Sequence, residues 1–434
     1  MTTLPMSPLP AQPLRAPAAR QRTLAVVFGY FAVLGLATVM LGPTLPLLAE
    51  RWHLPDSRLG TLFFAYFLGQ LGGSWFATRR LGASLLAGAC GAALGFCALA
   101  SAGPSAAHLL LFLIGLGIGA GLTAGNVIVG TIDEAGEDCD KNLEPLAAKK
   151  NSSRSRLLAL LNLSWGLGAI ACSLWLRGSV RLNQLAGNSI VAAPASRTSA
   201  VFFLGLAAAF AGMAALLAWL LPRRYYRRDK DNDSQSKMEW RAVAAFVASL
   251  ALYVGVENAL AGWLPIYAQR LSAGAVLSGR AAEIALCFWV FELIGRGLTA
   301  LLAKRIDERI FYRACLAALI AAIGLLVMSP RLDAQWTFGL TAAVAISLSP
   351  IFPLAVSFLL ARVGSDPGVG RIFASASLGG TLLPWLTGVG STHFQSLRLG
   401  FVVPATGAAL ILLLSWYLPA TRAASRLPLK VFDR

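Results

Sequence analysis

Apolar runs of about twenty residues recur twelve times along the chain, at roughly 24–49, 59–77, 82–102, 107–132, 157–176, 199–221, 242–268, 281–302, 310–329, 335–361, 372–390 and 399–420. About 20 helical residues cross the hydrocarbon core of a bilayer. The pattern therefore predicts an all-α membrane protein with twelve transmembrane helices, numbered here as spans 1 to 12. Two polar segments interrupt the array, DEAGEDCDKNLEPLAAKKNSSR (133–154) between spans 4 and 5 and PRRYYRRDKDNDSQSKMEW (222–240) between spans 6 and 7. The second divides the chain into two sets of six.

The two sets echo one another. TLPLLAER (44–51) ends span 1 and WLPIYAQR (263–270) ends span 7, with Pro46 over Pro265 and Arg51 over Arg270. GGSWFATRRL (72–81) in turn runs over GLTALLAKRI (297–306), which places Arg79 and Arg80 over Lys304 and Arg305. Both echoes keep the same side of the membrane, so a parallel duplication of a six-helix bundle is expected. The expected organisation is a disordered tail over 1–23, a first bundle over 24–221, a linker over 222–240, a second bundle over 241–420 and a tail over 421–434.

Composition agrees: 57% of the 434 residues are hydrophobic and 13% charged, against about a quarter charged in soluble domains. The formal net charge of +17 would suggest nucleic acid in a soluble protein, but here its placement decides. With the N-terminus inside, 27 of the 37 Lys and Arg fall on the cytoplasmic side, 9 outside and Arg296 within a span. The positive-inside rule then sets both termini in the cytoplasm of a multi-pass protein, expected in a bacterial inner membrane. Membrane lipids are the expected partners of the basic surplus, and nucleic acid is not. No separate cleavable signal is expected, because the first apolar run is too long for one. Cys90, Cys97, Cys139, Cys172, Cys287 and Cys315 have no CxxC or Cys/His spacing and read as small core residues. No metal site, cofactor or enzyme chemistry is expected. GxxxxGK[ST] is missing, and GLGIGAG (115–121) reads as close helix packing through small residues. Any transport would be secondary, with a monomer as the expected unit.

Twelve spans, a parallel six-plus-six repeat, a basic central segment and basic turns after spans 2 and 8 resemble the major facilitator superfamily, over about residues 24–420. YVGVENALAGWLPIY (253–267), FWVFELIGRGLTALLAKRID (288–307), LNLSWGLGAI (161–170) and ISLSPIFPLAV (346–356) resemble its fucose and glucose–galactose permease branch, which are proton-coupled sugar importers. The resemblance implies that spans 1, 4, 7 and 10 line a central cavity, that 2, 5, 8 and 11 flank it, and that 3, 6, 9 and 12 face lipid and are free of charge. Fucose permeases carry acids in helices 1 and 4 that bear on proton coupling. In this chain Thr38 stands at the span 1 position equivalent to Glu257, and span 4 offers Thr123 and Asn126.

Charge inside a span is costly and marks function or a compensating partner. Glu257 lies near the centre of ALYVGVENALAGWLPIYAQ (251–269), four residues after Tyr253. It could hold a proton, accept hydrogen bonds from a substrate hydroxyl, or pair with Arg296. Glu292 and Arg296 are spaced i, i+4 on span 8 and therefore face the same way, as an internal ion pair or as gating and binding groups. In the first half the candidates are neutral: Thr123 and Asn126, Asn162 and Trp165, and Gln70. Amides exchange hydrogen bonds with hydroxyls in both directions, and an indole offers a sugar ring an apolar face and one donor. Interhelical hydrogen bonding and plain packing are the competing explanations for each. Trp263 and Trp385, near the outer ends of spans 7 and 11, are placed in the interfacial aromatic belt. Pro43 and Pro46, Pro350 and Pro353, and Gly379, Gly380 and Pro384 are expected to bend spans 1, 10 and 11. The leading expectation is a secondary carrier for a small polar solute, a sugar foremost, with protons as a possible coupling ion. An efflux carrier for amphiphiles and an uncoupled uniporter are the alternatives.

Overall fold

The computed structural model describes residues 17–77, 81–131, 144–186, 195–220, 240–271, 279–302, 305–329, 334–363 and 369–417. All regular structure among the described residues is helical. Span 1 is broken into α1 (Pro17–Thr38) and α2 (Leu41–Trp52). Spans 2 to 9 are single helices: α3 (Asp56–Phe76), α4 (Leu81–Ser101), α5 (Pro104–Thr131), α6 (Glu144–Ala186), α7 (Ala195–Leu220), α8 (Trp240–Leu271), α9 (Arg280–Leu302) and α10 (Glu308–Met328). Span 10 is α11 (Ala334–Leu348) and α12 (Ile351–Val363), span 11 is α13 (Val369–His393), and span 12 is the short α14 (Leu397–Gly400) with α15 (Val402–Leu414). Twelve spans bring the start of α1 and the end of α15 to one end of the bundle, called here the terminal face; the opposite end is the far face.

Among the described residues, nine of the spans are long and apolar enough, by length and composition, to cross a membrane. The three that fall short are α3, α9 and α13. These three pack along the seam between the halves, α3 against α13 and α9 against α6.

Proline sets the two breaks. Pro43 and Pro350 have no N–H to offer the carbonyls four residues earlier. At the second break the Ser349 hydroxyl donates to Ile346 O at 2.9 Å, the carbonyl that Pro350 leaves without its usual partner. A freed carbonyl in a membrane bundle must find such a substitute. At Pro384 α13 runs on without interruption, so proline there does not break the span.

Close approach of backbones fixes which helices touch. GLGIGAG sits in α5 and presents glycines to three neighbours. A Cβ on Gly115 or Gly119 would strike the carbonyl of Tyr66 or Gln70 on α3, one on Gly117 the carbonyl of Gly88 on α4, and one on Gly121 the Tyr30 hydroxyl on α1. The small-residue packing expected for this stretch is what the helix makes. Both halves use the same device again. Gly35 and Gly168 join α1 to α6, and Gly255 and Gly379 join α8 to α13.

Several expectations need correction. α6 begins at Glu144, so part of the polar segment 133–154 is helix; its Glu, Ala and Lys content favours that state. The segment's first residues lie outside the described set, as do Arg79, Arg80, Lys304, Cys139, the linker 222–239 and the tails over 1–16 and 421–434; residues 17–23, expected as disordered tail, are the first turns of α1. Span 9 is not free of charge: Arg313 lies in α10, where its Nε and Nη2 donate to Ser415 Oγ and O, each at 3.1 Å, and its guanidinium covers Trp416. Those partners at the end of α15 explain how a cation is tolerated there. Trp263 is fully buried and donates to Pro384 O at 2.8 Å, so it is part of the α8–α13 contact and not an interfacial anchor. Cys90 and Cys97 face outward from α4; a thiol behaves as a small hydrophobe and sits as well against lipid as in a core.

The glycine contacts make a direct prediction. Gly119→Val should destabilise the protein by about 1–3 kcal/mol, as overpacking does. Gly91→Val, at a position with nothing within 4 Å of a new Cβ, should leave thermal unfolding in detergent unchanged. Equal melting temperatures for the two variants would rule out the close α3–α5 contact.

Candidate functional site

The site is assembled by the same packing. Gly35 lets the Trp165 backbone lie directly on α1, and Gly168 does the same against Ala32. Trp165 is thereby held at the seam, with its indole N–H 3.5 Å from Thr38 Oγ1. Thr38 closes α1 just before the break and returns its own hydroxyl to Leu34 O at 2.7 Å. Across the seam, Trp165 meets Trp289 of α9 edge-to-face, ring centres 5.6 Å apart at 84°. The Arg296 guanidinium lies 5.8 Å from the Trp165 ring centre, within cation–π range. One aromatic side chain from the first half thus reaches the charged group of the second.

Arg296 does not choose between its two carboxylates. Its Nη2 is 2.5 Å from Glu292 Oε1, one turn earlier on α9, and 3.6 Å from Glu257 Oε1 on α8. The Glu292 contact is an ion pair in which the N–H does not point along the oxygen, since that buried oxygen has no aligned hydrogen bond. Glu257 Oε1 also accepts a 2.8 Å hydrogen bond from Tyr253 Oη. Tyr253 is held in turn by Phe352, ring centres 5.4 Å apart, at the start of α12 beyond the Pro350 break. Glu292 is 1% exposed, while Arg296 and Glu257 side chains keep 23% and 12% of their surface open. The second half therefore offers one cation, two acids and a phenol at mid-span, partly reachable.

The neutral candidates are more dispersed. Asn126 and Asn162 are exposed, and each amide donates to the carbonyl four residues back in its own helix, at 2.9 and 3.0 Å. Thr123 is half-buried on α5. Gln70 is buried in α3 beside Tyr66, and its amide nitrogen has no partner. The structure thus gathers Tyr253, Glu257, Glu292, Arg296 and Trp165 into one cluster, whereas Asn126 and Asn162 bond back to their own helices. Trp289 and Phe352 were not foreseen. Trp289 stands three residues before Glu292 and seven before Arg296, a helical spacing that carries the signal.

At the far face the halves are clamped together. Arg270, at the end of α8, donates to both oxygens of Asp56 at the start of α3, at 2.8 and 2.5 Å. Ser391 Oγ donates to Asp56 Oδ2 at 2.5 Å, and the Ser57 N–H donates to Thr392 Oγ1 at 2.8 Å, both from the end of α13. Below this latch Gly42 lies against the Ala261 backbone, Gly60 against Trp385 and Gly262 against Phe63. Gly42 and Ala261 are counterparts in the repeat, each four residues before its proline. The repeated arginines have diverged: Arg51 stays in its own half, donating to Ser199 Oγ at 3.1 Å and to Ala100 O and Ala102 O at 3.1 and 2.9 Å. This conformation is the one in which the far entrance is shut.

A bundle of two similar six-helix halves, shut at one end and holding charge at the seam, is the architecture of a secondary transporter. The family model of the Major Facilitator Superfamily matches residues 26–367, and the chain belongs to that superfamily. It is a multi-pass integral membrane transporter and not an enzyme. No curated protein sequence matches it. Among solved structures it is similar to the E. coli fucose:proton symporter, with 18% identity and a TM-score of 0.59 over 92% of this chain and 98% of that one. It is also similar to a bacterial homolog of the human lysosomal transporter Spinster, in an inward-facing and occupied conformation, with 16% identity and a TM-score of 0.70 over 93% and 97%. The nucleoside transporter NupG matches at 12% identity and a TM-score of 0.64 over 93% and 100%. At these identities the likeness is one of fold.

Asp56 is buried while Arg270 keeps 45% of its side chain exposed, so the latch contributes on the order of 1 kcal/mol. Asp56→Asn is expected to raise severalfold the rate at which an impermeant thiol reagent added at the far face labels a cysteine at Ala261. An unchanged rate would show that the ion pair does not hold that entrance shut.

Proposed function

We propose that this protein moves a small polar solute, a sugar foremost, across the bacterial inner membrane by alternating access, with both termini in the cytoplasm and a monomer as the working unit. The observation that carries the reading is the mid-span cluster built from both halves, with Trp165 from the first half against Arg296, Glu257 and Tyr253 of the second. Solute bound there touches both moving parts, so its binding energy can bias their relative position. An indole face, a phenol and carboxylates are the chemistry that recognises ring hydroxyls. Asn126 and Asn162 are exposed amides on helices of the first half and would add donors and acceptors, with Thr123 and Gln70 as further candidates. Opening to the outside requires the Asp56–Arg270 latch to part while the terminal ends of the halves come together. A proton gradient would drive uptake through the acids of the second half, since Thr38 replaces an acid in the first.

Uptake of a labelled sugar panel into proteoliposomes tests this, with and without an inward proton gradient. Sugar uptake that responds to the gradient in the native protein and loses that response in Glu257→Gln is the expected result. Gradient-independent uptake in both proteins would define a uniporter. A folded protein that moves no sugar but extrudes an amphiphilic dye would replace the reading with efflux.

A further inference from the structure

The mid-span cluster contains one more acid than it has cations. Arg296 reaches an oxygen of Glu292 at 2.5 Å and an oxygen of Glu257 at 3.6 Å with the same nitrogen, so the two carboxyl groups face one cation from neighbouring helices. The groups packed around them supply no second cation among the described residues. Tyr253 on α8 is a neutral donor, Trp165 on α6 and Trp289 on α9 are neutral rings, and Ser349 and Phe352 flank the α11–α12 break, Ser349 against Gly295 and Phe352 against Tyr253. Fully ionised, the trio would carry −1 in a low-dielectric setting, with two like charges side by side.

We infer that Glu257 and Glu292 together bind a single proton, shared between their carboxyl groups, with Arg296 as the permanent counter-charge. Loaded, the trio is neutral; unloaded, it is −1. The proton site is a pair and belongs to neither acid alone. Glu257 is its accessible member, open on one side and fixed by Tyr253, while Glu292 is the buried member through which Arg296 is oriented. The stoichiometry is one proton for each turnover, because a second would leave Arg296 without an anionic partner. Replacing either acid by Gln leaves one carboxylate against one guanidinium, a neutral pair with no need of a proton. The two Gln variants should therefore behave alike, although one acid is partly exposed and the other is not. The pair's role as the coupling site rests on the transport reading above; its existence does not.

The test separates the two. Difference infrared spectra of the purified protein between alkaline and neutral pH, without solute, should show a protonated-carboxyl band that is absent from both Glu257→Gln and Glu292→Gln. Glu257→Asp and Glu292→Asp, each retaining a carboxyl group, should keep the band with a shifted frequency, which also shows that the fold survives change at these positions. A band that persists in either Gln variant, or no such band in the native protein, would overturn the shared proton whether or not sugar moves. In proteoliposomes gradient-driven accumulation by both Gln variants should fall to the equilibrium level. Accumulation preserved in Glu292→Gln would equally overturn the pair. Loss of all sugar flux in a native protein that shows the shared band would sink the transport reading and leave the proton site standing.

Discussion

Two helices come into backbone contact only where a side chain is missing from at least one of them, and this bundle is organised around the places where the chain meets that condition. Without a hydrophobic force between helices in lipid, van der Waals contact has to supply much of the association. Gly115 and Gly119 bring α5 onto α3, Gly35 and Gly168 bring α6 onto α1, and Gly255 and Gly379 bring α13 onto α8. The second of these contacts delivers Trp165 to the seam. The third fixes α8, and with it Tyr253 and Glu257. Site geometry is therefore a by-product of where glycine falls.

Charge neutrality is the second constraint. A single ionised group at the centre of a span costs about 2.5–3.5 kcal/mol on insertion scales, so Arg296 needs a partner. It has two, one on its own helix one turn away and one across the helix pair. The i, i+4 partner is present from the moment α9 forms, whereas the Glu257 contact requires α8 and α9 to be docked. The same cation thus serves insertion first and the assembled site afterwards.

Much of this could be read from the chain before folding. Period, length and placement of Lys and Arg define the spans, and the i, i+4 spacing of Glu292 and Arg296 makes their pairing readable. The Glu257–Arg296 contact was one of the alternatives the sequence left open, because the choice depends on the rotation of α8 against α9. The latch was hidden for a different reason: Asp56 and Arg270 are more than two hundred residues apart, and Asp56 has the look of any acid in a turn. Trp263 went astray because a tryptophan near a span end is ambiguous between lipid interface and helix contact until its neighbours are known. Thr123, Asn126, Asn162 and Gln70 remain candidates, since the exposed amides turn back on their own helices in the closed-far-face conformation.

The divergent fates of Arg51 and Arg270 carry a consequence of their own. The repeat gave each half one arginine at the same point. In the first half it is bonded inward, to Ser199, Ala100 and Ala102, and in the second it reaches across to Asp56. One ancestral residue has been divided into a rivet and a hasp. Selection can loosen or tighten the hasp, and with it the time spent in each orientation, while the rivet keeps the first bundle intact. Turnover and durability become separately heritable traits.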